Sequence, residues 1–125
     1  MKAKGNPPSD GPYEARFKDG SLACSGQYRD GRKQGDWVYY LKDGSVKARG
    51  AYVDDGFEGF WVWFRANGKK MQEGAFEANL QVGEWRRWYD NGQLMDVGCY
   101  ADGKKIGEWI SYHPDGRVKS RKHAK

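Results

Sequence analysis

The side chains able to do covalent or metal chemistry are few in this 125-residue chain. A nucleophile needs a base within hydrogen-bond reach. The nearest such pair is Ser111 and His113, and residues two apart on one strand face are separated by about 6.5–7 Å, beyond a direct hydrogen bond. The other histidine, His123, lies near the end of the chain. Asp36, Glu84 and Glu108 recur in one phase, which Phe60 interrupts. On strand spacing Glu84 and Glu108 stand about 10 Å apart, wider than the carboxylate pair of a sugar hydrolase. They read as partners of turn lysines or as a solvated rim. Cys24 and Cys99 lie three periods of 24 residues apart, about 30 Å in an extended array, whereas a disulfide needs Cα atoms within about 7 Å. They are expected as free thiols, which suit a reducing compartment. Two isolated cysteines and two distant histidines build no four-ligand zinc site. No phosphate loop stands out, the glycines being taken up by turns. These residues predict no enzyme, no metal and no cofactor.

The elements that carry these side chains follow from a repeat of 24 residues, without insertion or deletion. Gly11, Gly35, Gly59, Gly83 and Gly107 form one series, each followed two residues later by a ring: Tyr13, Trp37, Trp61, Trp85 or Trp109. Seven residues on comes a second series, Gly20, Gly44, Gly68, Gly92 and Gly116, each preceded by Asp or Asn. A third, Gly26, Gly50, Gly74 and Gly98, stands two before Tyr28, Tyr52, Phe76 and Tyr100. Fourteen of the 18 glycines fall in these phases, so they belong to construction.

Asp-Gly and Asn-Gly between apolar runs are strong hairpin signals, read as type I′ turns with positive φ at both central residues. Trp37–Leu41 and Val46–Tyr52 are expected as the arms around Asp43-Gly44. Second turns fall at Asp30-Gly31 and Asp102-Gly103, near Gly56 in the third unit and at Asn79 in the fourth, where Asn tolerates the left-handed conformation. Alternation puts Leu22, Cys24, Gly26 and Tyr28 on one face. A strand glycine beside large rings suggests that a neighbouring aromatic lies over the bare backbone. In the first arm Trp37 and Tyr40, Trp61 and Phe64, Trp85 and Trp88, and Trp109 and Tyr112 are three apart, which sends them to opposite faces. The rings of the second face are either half-covered by neighbours or available to a partner.

The predicted fold is all-β: an elongated single-layer antiparallel β-meander of five 24-residue β-hairpin repeats, on the order of 50 Å long. Residues 1–10 read as a flexible N-terminal segment, residues 11–122 as the array with units starting near 11, 35, 59, 83 and 107, and residues 123–125 as a basic tail end. Composition agrees. Aromatics reach 15% while leucine is scarce, and glycine this dense would weaken any helix. Pro7, Pro8 and Pro12, expected before the first strand, and the bases of the last, are edge-blunting devices. The net charge of +5 is concentrated at the end, in Arg117, Lys119, Arg121, Lys122 and Lys125. No apolar run approaches the roughly 20 residues that span a membrane, and the start has no apolar core of a signal peptide. A cytoplasmic protein is expected, although one whose export signal had been trimmed would read the same.

The run Gly98-Cys-Tyr-Ala-Asp-Gly-Lys-Lys-Ile-Gly-Glu-Trp109, with Tyr112 and Asp115-Gly116, resembles the MORN repeat in its bacterial variant form. The resemblance extends over roughly residues 11 to 122. It implies a sheet of antiparallel hairpins used for protein contacts, with membrane phospholipids as ligands of eukaryotic relatives and antitoxin or immunity roles among bacterial ones. The first unit departs, with Tyr13 for Trp and Arg16 for an aromatic, as a cap would. The third and fourth units carry Gly56-Phe57-Glu58 and Leu80-Gln81-Val82 where others carry Gly-Lys-Lys. The resemblance supplies no catalytic residue.

Partner binding is expected where the units differ. Two after each Trp come Tyr39, Trp63, Arg87 and Ser111, and four after it Leu41, Arg65, Tyr89 and His113, all on the Trp face of a regular strand. With the off-consensus centre this nominates Tyr39, Phe57, Phe60, Trp63, Arg65, Arg86, Arg87, Trp88 and Tyr89, residue types that dominate binding hot spots. They can instead simply cover a sheet that has no second layer. The expected partner is a protein, in the form the resemblance implies a toxin or effector. The alternative is an anionic lipid surface met by Arg117, Lys119, Arg121 and Lys122. Interspersed acids such as Glu58, Glu73 and Glu84 argue against nucleic acid, and a ribbon edge or face leaves self-association open.

Overall fold

A computed structural model describes residues 8–125. Residues 1–7, with Pro7 and most of the expected N-terminal segment, lie outside the described residues. Five strands are first arms of their units: β1 (Gly11–Arg16), β3 (Arg32–Tyr40), β5 (Gly56–Phe64), β7 (Leu80–Trp88) and β9 (Lys104–Tyr112). The second arms are β2 (Leu22–Arg29), β4 (Val46–Val53), β6 (Lys70–Glu77), β8 (Leu94–Ala101) and β10 (Val118–His123). They form one sheet of ten antiparallel strands in sequence order, and there is no helix among the described residues. The meander is the fold that the period predicted.

The wide turn family differs in type from the expectation, and the tight one keeps it. At Asp43-Gly44 only the glycine has positive φ (90°), and Gly44 N–H donates to the Leu41 carbonyl while Leu41 N–H donates to that of Ser45. This is a type I turn closed by a left-handed glycine bulge, and it recurs at Gly20, Gly68, Gly92 and Gly116. The preceding Asx serves as an acceptor. Asp43 Oδ1 takes Ser45 N–H at 2.9 Å and its hydroxyl at 2.6 Å, and Asn67 Oδ1 takes Lys69 N–H at 2.9 Å. The type I′ geometry belongs to the other family. Asp30 and Gly31 have φ of 53° and 77°, Asp54 and Asp55 48° and 70°, and Ala78 and Asn79 50° and 70°. The third unit therefore turns on Asp54-Asp55, and Gly56 already opens β5. The first arms are longer at their starts than expected, so Lys33-Gln34-Gly35 lies within β3.

Two glycine phases thus sit inside strands rather than in turns. Gly35 has φ of 68°, and here β3 gains two residues on β2: Ser25 pairs with Val38, but Gln27 with Gln34. The bulge lets Trp37 lean back across Gly26. A Cβ on Gly26 would lie 2.0 Å from the indole, and the same holds at 2.1 Å for Gly50 under Trp61, Gly74 under Trp85 and Gly98 under Trp109. Each indole N–H also donates to the carbonyl one residue past its glycine: Trp37 to Gln27 at 3.1 Å, Trp61 to Ala51 at 2.8 Å, Trp85 to Ala75 at 3.1 Å and Trp109 to Cys99 at 3.2 Å. The ring two after the glycine stands edge-on to the same indole, as in Tyr52–Trp61 at 5.1 Å and 70°. Such pairs are worth about 0.5–1.5 kcal/mol beyond buried area. The expected aromatic over the bare backbone is thus the Trp of the next unit.

Trp37 and Trp61 are each 1% exposed and Trp85 is 4% exposed, so a single layer buries its largest side chains against its own backbone. Replacing Gly50 by Ala would drive a methyl group into the Trp61 ring, where neither backbone nor indole can yield. Gly50→Ala should cost about 3 kcal/mol, read as a lowered urea midpoint at unchanged slope. A second prediction concerns acid. The side-chain and backbone hydrogen bonds from Ser21 and Ser45 hold Asp19 and Asp43 below the usual carboxylate range, and those from Arg117 do so for Asp115. Their contribution is present above the unfolded value of 3.8 and disappears as pH falls through the lower folded values. Asp19→Asn/Asp43→Asn/Asp115→Asn keeps each acceptor oxygen, as Asn67 and Asn91 do, so melting temperature should decline less steeply between about pH 5 and 2.

Candidate functional site

The sheet presents two unlike faces. On one, here the ring face, aromatic contacts run from Tyr13 to Trp109 through Tyr28, Trp37, Tyr52, Trp61, Phe57, Phe76, Trp85 and Tyr100. Among the described residues no second layer covers it. Four nominated residues belong here. Tyr39 stacks on Trp37 at 6.1 Å, and its hydroxyl lies 3.0 Å from that of Tyr52. Phe57 stacks on Tyr52 at 5.4 Å and on Phe76 at 4.6 Å, occupying the place where Lys33 lies over Trp37 and Lys105 over Trp109. Trp63 stacks on Trp61 at 5.7 Å and reaches Trp85 at 6.0 Å. Arg87 grips Asp96 through two nitrogens. That bond holds Arg87 above its ordinary range.

On the outer face lie Phe60, Arg86 and Trp88. Phe60 is 59% exposed. With Val38, Arg49, Val62 and Lys70 it lines a shallow trough of about 360 Å³. Arg86 pairs with Glu84 at 2.7 Å, and the Lys70 ammonium lies 5.8 Å from the Trp88 ring centroid. Tyr40, Phe64, Trp88 and Tyr112 are all half-buried, which places the second-face rings between the two expected states.

Arg65 and Tyr89 are on neither face. The strands end at Phe64 and Trp88, so these residues, with Leu41 and His113, begin the wide turns instead of continuing the Trp face as a regular strand would. There they tie adjacent units together: Arg65 Nη2 donates to the Trp88 carbonyl at 2.8 Å, and the Tyr89 hydroxyl donates to the Tyr112 carbonyl at 2.7 Å. Arg65 Nε is buried without a hydrogen-bond partner among the described residues. The nominated set is therefore split over two faces and one end.

The candidate reactive groups are occupied by structural partners. The Ser111 hydroxyl meets that of Ser120 at 2.6 Å rather than His113, whose backbone N–H closes the last wide turn on Arg117. Glu84 and Glu108 pair with strand arginines, Arg86 and Arg121, and not with turn lysines. Cys24 and Cys99 are free thiols on β2 and β8, and burial pushes the Cys24 thiol up. Among the described residues no group of acids, cysteines and histidines could hold a metal ion. Of the basic end, Arg117 pairs with Asp115 at 2.8 Å and Arg121 with Glu108 at 3.6 Å. Lys119 sits at the register shift of β10 between Val118 and Ser120, while alternation beyond it sends Arg121 to the outer face and Lys122 to the ring face. Sequence reasoning missed Phe76 and Tyr52 as contributors to the central surface, because their regular phase marks them as construction.

Burial, then the hydrogen bond with Tyr39, pushes the Tyr52 hydroxyl well above its ordinary value of 10.0. Its contribution is complete below pH 10.0 and is lost as pH rises toward the folded value. Tyr52→Phe should lose less stability than the parent between about pH 9 and 11, compared by urea denaturation across that range.

Comparison with known proteins bears on this arrangement in one way. No curated protein matches the chain. A crystal structure of a GtfA/B complex bound to UDP and GlcNAc aligns over 94% of this chain at 12% identity and a TM-score of 0.34, and the chain spans 24% of that protein's length. A family model, the MORN repeat variant, matches residues 81–102 and 105–125. Those stretches contain Trp85 and Trp109, and the same indole-on-glycine geometry at Trp37 and Trp61 carries the pattern back through the units before them. Residues 81–102 and 105–125 are thus similar to two adjacent MORN repeats of the variant type, a module generally used for binding proteins or membranes.

Proposed function

We propose that the chain is a non-catalytic protein-binding module that acts in the cytoplasm, and that its partner, in the role the resemblance implies, is a toxin whose active groove it masks. The observation that carries this reading is the uncovered ring face. Tyr39, Phe57, Trp63 and Phe76 lie at the middle of the sheet and are still only half-buried, with their neighbours already packed beneath and beside them. Large rigid rings fixed in this way lose little entropy on binding and are typical anchors of protein interfaces. The phase of Tyr39, Trp63, Arg87 and Ser111 changes chemistry from unit to unit while the latch glycines beneath stay constant. A surface that varies on a fixed frame suits recognition of one particular partner.

The membrane reading has less support. Its four residues do not converge: Arg117 lies in the last turn, Lys119 at the bulge of β10, Arg121 faces outward, and Lys122 faces the rings. Two of them are already in ion pairs.

Trp63→Ser, patterned on Ser111 of the last unit, tests the proposal, with a retained cooperative urea transition as the check that the sheet folds without the ring that stacks on Trp61. Proteins retained from a lysate of the source cell by the immobilised chain would be identified, and each expressed alone to find one that arrests growth. The parent chain should bind that protein and restore growth on co-expression. Trp63→Ser should lose both, whereas Lys119→Ala/Arg121→Ala should keep both. Retention of both by Trp63→Ser, or their loss in the basic-end variant alone, would overturn the proposal.

A further inference from the structure

The ring face ends in a step with its own chemistry. Inside the array each Trp pairs across the hairpin with a glycine, as Trp37 does with Gly50, and the next Trp lies over that glycine. Trp109 pairs instead with Lys122, and β10 is the last strand. Trp109 is therefore half-buried where Trp37, Trp61 and Trp85 are buried. Beside it opens a hollow of about 360 Å³ bordered by Asp96, Lys105, Trp109, Ser111, Ser120 and Lys122.

Charge at this step is positive and unopposed. The Lys105 ammonium lies 4.5 Å from the Trp109 ring centroid. Among the described residues neither Lys105 nor Lys122 is in an ion pair. Asp96, the one acid at the hollow, is held by Arg87. The scarcity of acid extends along the whole ring face. Glu14, Asp36, Glu58, Glu73, Glu77, Glu84 and Glu108 each stand next in sequence to a ring-face residue, so alternation turns all of them outward. Only Asp96 remains among the strand carboxylates. The ring face also carries Lys33, near Trp37 and Tyr52. Acids and bases that look interspersed along the chain are thus sorted by face.

We infer that this step receives a carboxylate of the protein partner, presented on an acidic segment that also carries apolar side chains. The inference rests on the ring-face reading above and names the chemistry of the partner at one end of that surface. The two ammonium groups would hold the carboxylate, the Ser111 and Ser120 hydroxyls can turn to donate, and the open flank of Trp109 takes the apolar neighbours. A carboxylate carried on an apolar segment fits better than a free phosphate, because only the segment sets an apolar group against the open flank of Trp109.

The test uses the full chain and a fluorescein-labelled peptide alternating glutamate with phenylalanine. Its glutamine counterpart, inorganic phosphate and phosphatidylserine vesicles are the comparisons. The glutamate peptide should shift the Trp109 indole N–H resonance and bind about tenfold or more tightly than the glutamine peptide. Lys105→Glu/Lys122→Glu should weaken it by a similar factor at unchanged melting temperature, and Lys119→Ala/Arg121→Ala should leave it unaltered. Equal binding by the charge-reversed variant, an equal Trp109 shift with phosphate or vesicles, or no shift with the glutamate peptide would overturn the inference. The toxin assay separates this failure from that of the wider reading. If Trp63→Ser loses the partner and Lys105→Glu/Lys122→Glu keeps it in full, the ring face stands and the carboxylate site falls. If both variants keep it, both fall.

Discussion

An indole lying flat on a glycine of the preceding hairpin is the contact on which this molecule depends. A single-layer sheet has no second layer against which to bury side chains, and its first difficulty is to exclude water from anything at all. Here the Trp of each later unit covers bare backbone and donates its N–H to the next carbonyl, and a ring two residues on closes its edge. Three requirements follow at fixed spacing: a glycine with no Cβ, a ring two residues after it, and a left-handed glycine two residues before the Trp that covers it, as Gly35 stands before Trp37. The 24-residue period is the length of chain that returns all of them to the same relative positions.

The architecture was legible because these requirements are local and each leaves a residue type behind. The turns were located for the same reason, although the wide ones are type I with a glycine bulge in place of the expected type I′. Asp43-Gly44 signals a turn by supplying an acceptor oxygen and one left-handed residue, whereas Ala78-Asn79 forms the tighter turn with no glycine at all, since register and rings on both sides over-determine it. Arg65 and Tyr89 were misplaced because a periodic count assumes that the strand continues, and Phe64 and Trp88 end it. Phe57 looked like an irregularity of the surface. It is also a structural substitution, a ring in the place where a lysine lies over the indole in the second and fifth units.

The sorting of charge between faces was hidden for a different physical reason. In the linear chain most of the strand acids, such as Asp36, Glu58, Glu84 and Glu108, adjoin a ring, and the two seem mixed. Strand alternation converts adjacency in sequence into opposition in space, so the same pattern that looks neutral along the chain leaves one face nearly without acid. The bulge at each left-handed glycine inside a first arm, Gly35, Gly59, Gly83 or Gly107, gains two residues, an even number, and therefore preserves that alternation from one hairpin to the next. A gain of one at that point would have reversed it at every unit.

The latch also has a direction. Trp37, Trp61, Trp85 and Trp109 all reach back toward the hairpin made before them, and none reaches forward, like shingles that each overlap the course below. Taking away the last course bares one strip of backbone and leaves every other overlap intact. Taking away the first leaves Trp37 with nothing to lie on. An array of this kind can lengthen or shorten at its C-terminal end by whole units, while its N-terminal end must be kept as the starting course.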